Sequence, residues 1–223
     1  MPELKAVLFD MDGVLIDSEP VWERVRREFI ERRGGQWSTE LQKRMMGVST
    51  AVWSEELSEQ LAGSLSPSAV AGVVIAEMAS SYQRFLPQID GAAVVVRNLA
   101  RHFRLGLASG SPRSLIVLAL RIANLTDCFD VVLSTDEVNR GKPAPDPYEE
   151  LARRLGLKPA ECVAIEDSTN GLLSATAAGA RVVAIPRGQH SPDAAALAAA
   201  DAVLDDIYEL TPELLLALPA ASR

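Results

Sequence analysis

Acidic and hydroxyl side chains stand where short apolar runs of this sequence end. The run AVLF ends at Phe9, and Asp10, Asp12 and Gly13 follow it closely. Charged side chains leave water only when another group compensates their charge, so these acids require a partner. Comparable groups follow apolar runs further along the chain: Ser109-Gly110-Ser111, Lys142, Glu166 and Asp167.

Each of these groups alone has an ordinary structural explanation. An acid followed by glycine is frequently a turn, a serine before a helix is frequently its N-cap, and a lysine before Pro-Ala-Pro is usually a solvated loop residue. In open α/β sheets, however, ligands bind beyond the carboxyl ends of the strands. Such groups at four strand ends therefore favour one functional site over four separate structural explanations.

Carboxylates gathered at one edge of a sheet repel each other unless a cation lies between them. Among the common metal ions, a set of oxygen ligands favours Mg²⁺. The two histidines, His102 and His190, do not follow predicted strands, which disfavours a histidine-based zinc site. The sequence therefore predicts Mg²⁺ as the cofactor.

The remaining groups are suited to phosphate chemistry. Lys142 and the hydroxyl of Ser109, with the amides that follow it at a predicted helix start, can bind an anion. An aspartate can attack phosphorus and form an aspartyl-phosphate, and a second carboxyl group can protonate the departing oxygen. Side chains two residues apart on extended chain share a face, so Asp10 and Asp12 are expected to point the same way.

Predicted strands alternate with predicted helices over most of the chain, which is typical of a parallel sheet covered on both faces. One block interrupts the alternation, because residues 19–86 follow a helical spacing of apolar residues without a convincing strand. The prediction is an α/β fold. It has a doubly wound, Rossmann-like parallel-sheet core, residues 1–16 and 87–223, and an inserted α-helical cap domain, residues 17–86.

The apolar periodicity also predicts the approximate bounds of individual helices. The expected cap helices are Glu19–Arg33, Thr39–Met46, Thr50–Leu61 and Pro67–Phe85. In the core, Ser111 is the expected N-cap of a helix with Pro112 in its first turn. A final helix is expected from about Tyr208.

Size and composition are those of an ordinary globular protein. The chain has 223 residues, of which 48% are hydrophobic and 23% are charged, enough for one large domain or two modest ones. A net charge of −8 argues against nucleic acid as a partner, because phosphate backbones are bound by basic surfaces. Two isolated cysteines, Cys128 and Cys162, are not a disulfide framework, and both are expected to be reduced and packed.

The sequence shows no targeting or membrane signal. It does not open on a basic-then-apolar leader, and no uninterrupted apolar span is long enough for a membrane helix. We therefore expect a cytoplasmic protein with no membrane partner, and a monomer as the default.

Taken in order, these motifs resemble the haloacid dehalogenase superfamily, in the branch with a helical cap after the first strand that includes β-phosphoglucomutase and many sugar-phosphate phosphatases. The resemblance extends over nearly the whole chain. It rests on four stretches: FDMDGVLIDSEP, LASGSP, GKPAPDPY and AIEDSTNG. The first and the last are the most specific, and the two between them add support through their order and spacing.

The resemblance implies a role for each site residue. Asp10 would be the nucleophile and Asp12 the general acid and base. Ser109, Gly110 and Lys142 would bind the phosphoryl group. The ligands of Mg²⁺ would be the Asp10 carboxylate, the Asp12 backbone carbonyl, Glu166 and Asp167. The predicted function is an Mg²⁺-dependent phosphatase acting on a small phosphorylated metabolite, such as a sugar phosphate.

The other activities known in the superfamily match the residues of this sequence less well. Dehalogenases lack an acid at the position of Asp12, because halide leaves without a proton. Phosphonate cleavage uses a lysine of the cap. The only lysine of residues 17–86 is Lys43, and its sequence surroundings do not indicate that it is buried, which disfavours this activity. A β-phosphoglucomutase-like mutase is the main alternative, but Thr50 and Ala51 stand where a basic residue usually follows Gly-Val-Ser, and Trp22 stands near where mutases carry a histidine.

The cap residues divide into expected packing, solvated and substrate-contacting groups. Trp22, Trp53 and Met45 are expected to pack, and the arginines of residues 24–27 are expected to form a solvated helix face. Candidate substrate contacts are Arg44, just before MMGVST, and Ser49 within it. Cap closure would exclude water during transfer, with hinges expected at residues 14–19 and 86–91.

Overall fold

A computed structural model describes residues 3–45, 48–187 and 191–219. Its centre is a six-stranded sheet in which every pairing is parallel, in the order β3-β2-β1-β4-β5-β6. The α/β prediction is thereby confirmed. The strands are β1 (Ala6–Phe9), β2 (Arg104–Ser109), β3 (Val131–Ser134), β4 (Cys162–Glu166), β5 (Arg181–Ala184) and β6 (Ala202–Val203).

Helices occupy the segment after β1 and most of the connections between strands. Four of them follow β1: α1 (Glu19–Glu31), α2 (Thr39–Met45), α3 (Thr50–Gln60) and α4 (Pro67–Arg84). The others are α5 (Ala92–Leu99), α6 (Arg113–Ile122), α7 (Asp146–Arg154), α8 (Thr169–Ala178), α9 (Ala194–Ala198) and α10 (Pro212–Ala217). The predicted final helix was placed too early, because residues from Ile207 to Glu209 form a separate 3-10 turn that Asp206 caps.

The strands bury both faces, as parallel strands covered by helices must. Val7 and Phe9 of β1 pack in the larger hydrophobic cluster, which includes Ile165 and the cap helices. Ala6 and Leu8 point to the opposite face, where α7 and α8 pack. Both cysteines are free, as expected. Across the described ranges, no helix combines the length and the apolar character needed to cross a membrane.

Helices α1 to α4 form the cap, which has its own apolar interior. Trp53 and Met45 are buried there, and the rings of Trp22 and Trp53 lie 5.8 Å apart, so these residues pack as expected. The predicted helix ends agree with the structure to within two residues, except that Met46 lies outside the described residues. The exact domain boundaries, residues 17–86 for the cap, stay a prediction that the position of these helices supports.

Two linker segments, hydrogen-bonded to each other, connect the cap to the core. The amide of Asp17 donates to the Pro87 carbonyl at 2.8 Å, and the amide of Ile89 donates to the Leu15 carbonyl at 3.0 Å. These linkers coincide with the hinge segments expected from the sequence. Their role as hinges stays a prediction.

Candidate active site

Asp10 lies at the topological switch point, where a doubly wound sheet binds its ligand. From the central β1, the chain adds β2 and β3 on one side and β4 to β6 on the other. The register pairs Phe9 with Leu107 of β2 and with Ile165 of β4, and the Asp10 amide donates to the Ile165 carbonyl at 3.0 Å. Asp10 therefore stands beside Glu166, the last residue of β4.

Lys142 links these two carboxylates. Its Nζ donates to Oδ1 of Asp10 and to Oε1 of Glu166, each at 2.6 Å, and to the carbonyl of Ala108 at 3.1 Å. The Lys142 side chain is 7% exposed and the two carboxylates are 8% and 0% exposed. The three acceptors replace the water that the buried ammonium group of Lys142 has lost, and this makes its burial energetically acceptable.

Glu166 is held by neighbours as well as by Lys142. The hydroxyl of Tyr148, a buried residue of α7, donates to its Oε1 at 2.7 Å. Its Oε2 accepts from the Asp167 amide and from the Ser168 hydroxyl, each at 3.2 Å. Sequence reasoning missed Tyr148, whose only signal was its place directly after the Pro-Asp-Pro of a predicted helix start.

Asp12 accepts hydrogen bonds from three hydroxyl groups. Ser18 Oγ donates to its Oδ1 at 2.5 Å, while Ser109 Oγ and Ser111 Oγ donate to its Oδ2 at 2.7 and 3.0 Å. The carboxyl group is therefore held from both the linker to α1 and the end of β2. Ser18 was not identified from the sequence.

The expectation that Ser111 caps a helix is wrong. Helix α6 begins at Arg113 after Pro112 and has no side-chain cap. The Ser111 hydroxyl is used by Asp12, and its amide donates to Ser109 Oγ at 2.9 Å. Gly110 lies between these two serines at the same edge of the sheet.

Two glycines allow the chain to approach the acidic groups closely. Gly13 has a φ of +85°, and a Cβ there would lie 1.9 Å from a carboxylate oxygen of Asp167. A Cβ on Gly171, in the first turn of α8, would lie 1.9 Å from the Glu166 carboxylate. Neither position has room for a side chain, so the glycine of each motif is a steric requirement of the site.

Burial disfavours the charged forms of these acids. It raises the pKa of Asp10 to about 8, although the Lys142 charge acts in the opposite direction. Burial also raises the pKa of Asp167 well above its usual range, and the charges of Asp10 and Glu166 add to that rise. The cluster thus holds more negative charge than one lysine compensates.

The donor set fits a hard divalent cation. Asp10, Glu166 and Asp167 each place one carboxylate oxygen so that these atoms lie within 4.8 Å of one another. All are oxygen ligands, the kind that Mg²⁺ prefers. A cation among them would favour the ionised forms that burial and mutual repulsion disfavour.

The two substrate contacts predicted in the cap are Arg44 and Ser49. Within the described residues, neither side chain forms a hydrogen bond or ion pair with these carboxylates. Arg44 is exposed and pairs with Glu56. Ser49 is the half-buried N-cap of α3 and makes no side-chain cap bond. Residues 46–47 of the predicted substrate loop, and the side chain of Lys43, lie outside the described part of the chain.

The arginines of residues 24–27 do not form one solvated face. Arg24 and Arg27 are exposed, but Arg26 is only 4% exposed. Its guanidinium carbon lies 4.5 Å from the centroid of the Trp22 ring and 5.4 Å from that of Trp53. Arg26 was predicted wrongly because its burial depends on α3, which brings Trp53 against α1.

Comparison with known proteins agrees with this geometry. A family model described as haloacid dehalogenase-like hydrolase matches residues 4–179. The chain belongs to this family, and the prediction that it is an enzyme, a hydrolase of the phosphoric monoester class, is confirmed.

The similarity to relatives and solved structures extends over nearly the whole chain. Hexitol phosphatase B of Escherichia coli is 33% identical over 96% of this chain and 97% of its own length. A putative β-phosphoglucomutase from Thermotoga maritima has a TM-score of 0.74 and 29% identity, covering 96% of this chain and all of its own. A family hydrolase from Deinococcus radiodurans, solved with bound phosphate and sodium, has a TM-score of 0.69 and 32% identity, covering 96% of both chains.

Proposed function

We propose that this protein is an Mg²⁺-dependent phosphatase that hydrolyses a small phosphorylated sugar or sugar alcohol through an aspartyl-phosphate intermediate. The observation that carries the proposal is the buried contact of Lys142 with both Asp10 and Glu166, with Asp12 held two residues beyond the nucleophile. A relative of similar length that is named a hexitol phosphatase supports the substrate class.

In the first step, a carboxylate oxygen of Asp10 bonds to phosphorus and the ester P–O bond breaks. The departing oxygen takes a proton from the carboxyl group of Asp12, which the hydroxyls of Ser18, Ser109 and Ser111 hold in position. Lys142 compensates negative charge on Asp10 and on the phosphoryl oxygens.

In the second step, Asp12, now a carboxylate, takes a proton from water. The water oxygen bonds to phosphorus, the bond from phosphorus to Asp10 breaks, and phosphate leaves. Asp10, Glu166, Asp167 and the Asp12 carbonyl would hold Mg²⁺. When bound, Mg²⁺ would offset the repulsion between the anionic nucleophile and the anionic substrate.

A β-phosphoglucomutase-like activity is the second candidate, favoured by the similarity to the Thermotoga structure. A mutase must hold a second phosphate in its cap, which calls for cations. Trp22, which stands near where mutases carry a histidine, is buried against Trp53, and Arg44 is already paired with Glu56. These contacts favour the phosphatase.

The test is phosphate release from a panel of phosphate esters, with and without Mg²⁺. Asp10→Asn should abolish turnover, because an amide oxygen is a far weaker nucleophile than a carboxylate. Asp127→Asn, at an exposed acid of the same type, is the matched control. Glucose 6-phosphate formed from β-glucose 1-phosphate, with little free phosphate, would establish the mutase instead.

A further inference from the structure

An open cavity lies where the cap meets its two linkers, and we call it the linker cavity. Its volume is about 410 Å³, within the usual size range of small-molecule sites. It is lined by parts of α1 and α4 and by both linkers, and none of its lining residues is among the groups described above around the carboxylates. The lining residues that carry chemistry are Asp17, Arg24, Ser81, Arg84 and Phe85.

Two arginines of the linker cavity meet at one hydroxyl group. Nη2 of Arg24 donates to Oγ of Ser81 at 3.3 Å, and Nη2 of Arg84 donates to the same oxygen at 3.2 Å. Across the described ranges, neither arginine has an acidic partner within ion-pair distance. Two guanidinium groups held at one oxygen repel each other, and an anion bound between them would offset that repulsion. The planar fork of N–H donors on each arginine matches a phosphate group.

Phe85 supplies an aromatic ring at the same cavity. The residue follows the last residue of α4, and its side chain is 75% exposed, more than any other large apolar side chain of the described residues. An exposed ring beside cationic groups is a common surface for stacking a nucleic-acid base. The linker cavity therefore offers binding for a planar ring as well as for an anion.

Asp17 adds an acceptor to the linker cavity. It is an exposed residue of the first linker. A carboxylate accepts hydrogen bonds from hydroxyl and amino groups, and it opposes the binding of a simple anion. Two cations, one aromatic ring and one acid therefore call for a ligand with a phosphate, a planar ring and hydroxyl groups, the three parts of a nucleotide.

We propose that the linker cavity is a nucleotide-binding site, separate from the carboxylate site. Arg24 and Arg84 bind the phosphates of the nucleotide, and Phe85 stacks on its base. Asp17 accepts hydrogen bonds from its ribose hydroxyls. Because stacking on an aromatic ring tolerates different bases, the proposal assigns the class of ligand and not the identity of the base.

The position of the linker cavity gives the bound nucleotide a mechanical effect. Asp17 and Pro87 both line it, and the Asp17 amide donates to the Pro87 carbonyl at 2.8 Å. A ligand that contacts both linkers and two cap helices restrains the segments about which the cap is expected to move. Nucleotide binding should therefore slow local opening of the linkers.

The first test is calorimetric titration of the wild-type protein with ADP, without added divalent cations. We expect saturable binding at one site. Adenosine lacks the phosphates and inorganic pyrophosphate lacks the base and ribose, so each should bind at least about ten-fold more weakly than ADP. Equal affinity for pyrophosphate and ADP would identify an anion site only and overturn the assignment, as would no detectable ADP binding at about 1 mM.

Two variants locate the ADP site. Arg84→Gln removes one charged donor and Phe85→Ala removes the stacking ring, so each should weaken ADP binding about ten-fold. Arg121→Gln and Leu216→Ala, at exposed residues outside the linker cavity, are the matched controls and should bind ADP as wild type does. All four positions are exposed, so the variants should fold, and their Tm values check this. Unchanged ADP affinity in both Arg84→Gln and Phe85→Ala would place the nucleotide elsewhere and overturn the proposal.

Amide hydrogen exchange tests the effect on the linkers. With ADP bound, the amides of Asp17 and Ile89, which are hydrogen-bonded between the linkers, should exchange more slowly than in the free protein. Unchanged exchange at saturating ADP would overturn the proposed restraint. Because these measurements need neither Mg²⁺ nor turnover, their failure leaves the proposed phosphatase function intact, and loss of that function leaves the nucleotide site testable.

Discussion

Glu166 is oriented by the protein before any ligand binds. Lys142 and Tyr148 both donate to its Oε1, while Oε2 accepts from Asp167 and Ser168. A carboxylate fixed by several donors needs little reorganisation when charge develops nearby, and such preorganised groups contribute strongly to catalysis. The same contacts make Tyr148 a positioning residue for a candidate metal ligand.

The carboxyl group of Glu19, in the first turn of α1, makes the stability of the protein depend on pH. Burial raises the pKa of Glu19 from 4.5 to about 7. The folded state thus holds this proton more tightly than the unfolded state, and stability should fall as the pH rises from about 4.5 to about 7. The charged and titratable groups facing Glu19 are Arg26, which opposes the rise, and Asp12, Glu23 and Asp17, which add to it.

Replacing Glu19 by Gln should make stability less dependent on pH. We expect the loss in free energy of unfolding between pH 5 and pH 7.5 to be smaller than in wild type by roughly 1–2 kcal/mol, less than the full shift implies because Glu19 is partly solvated. Urea unfolding at both pH values measures it. Glu28→Gln, an exposed acid of the same helix, is the control, and an unchanged pH dependence in Glu19→Gln would contradict the prediction.

The junction of β4 and α8 sets the position of the Glu166 carboxylate. Glu166 ends the strand, Ser168 caps the helix by accepting from the Gly171 amide at 3.1 Å, and the helix begins at Thr169. The first turn of α8 therefore passes directly over the Glu166 carboxylate. Only a residue without a side chain fits at the point of contact.

Gly171→Ala should accordingly impair both activity and stability. The added methyl group must displace the Glu166 carboxylate, and a misplacement of about 1 Å at a site can cost roughly 100-fold in rate. Overpacking of this kind also costs about 1–3 kcal/mol of stability. Phosphate release and urea unfolding of the same variant measure the two effects.

Gly72 provides a control of opposite sign. It lies inside α4, and an added Cβ there would meet no atom within 4 Å. Gly72→Ala should therefore stabilise the protein by about 0.5–1 kcal/mol through helix propensity and leave activity unchanged. A Gly171→Ala variant as active as Gly72→Ala would contradict the steric argument.

The elements and the strand ends could be predicted because they depend on local patterns. Asp10, Lys142 and Glu166 follow apolar runs, and the alternation of strands and helices places such ends at one edge of a sheet. Arg26 and Tyr148 could not be identified in this way. Their positions depend on which side chains of another helix or strand they meet, and a single charged or aromatic residue in a helix carries no signal of that.

At the scale of the whole molecule, the cap touches the core away from its linkers. Asp136, which follows β3, accepts from the Thr50 amide at 3.1 Å and from its hydroxyl at 2.6 Å. Thr50 is the first residue of α3, whose own N-cap, Ser49, makes no side-chain cap bond. A core residue therefore caps a helix of the cap.

Removing this contact should loosen the cap while leaving the core intact. Asp136→Ala deletes a helix cap worth about 1 kcal/mol, so amide hydrogen exchange at the start of α3 should accelerate roughly five-fold. Exchange in β1 and β4 should not change. Asp127→Ala is the control, and unchanged exchange at Thr50 in Asp136→Ala would show that the contact does not hold the cap.

The paired linkers have an evolutionary consequence. Because Asp17 bonds to Pro87 and Ile89 to Leu15, the chain leaves the sheet and returns to it at neighbouring points. The four helices between the linkers therefore form an insertion whose two ends lie side by side at the sheet. Recombination can therefore exchange this insertion for another of similar end-to-end spacing while the sheet and the acidic groups at its edge keep their own contacts.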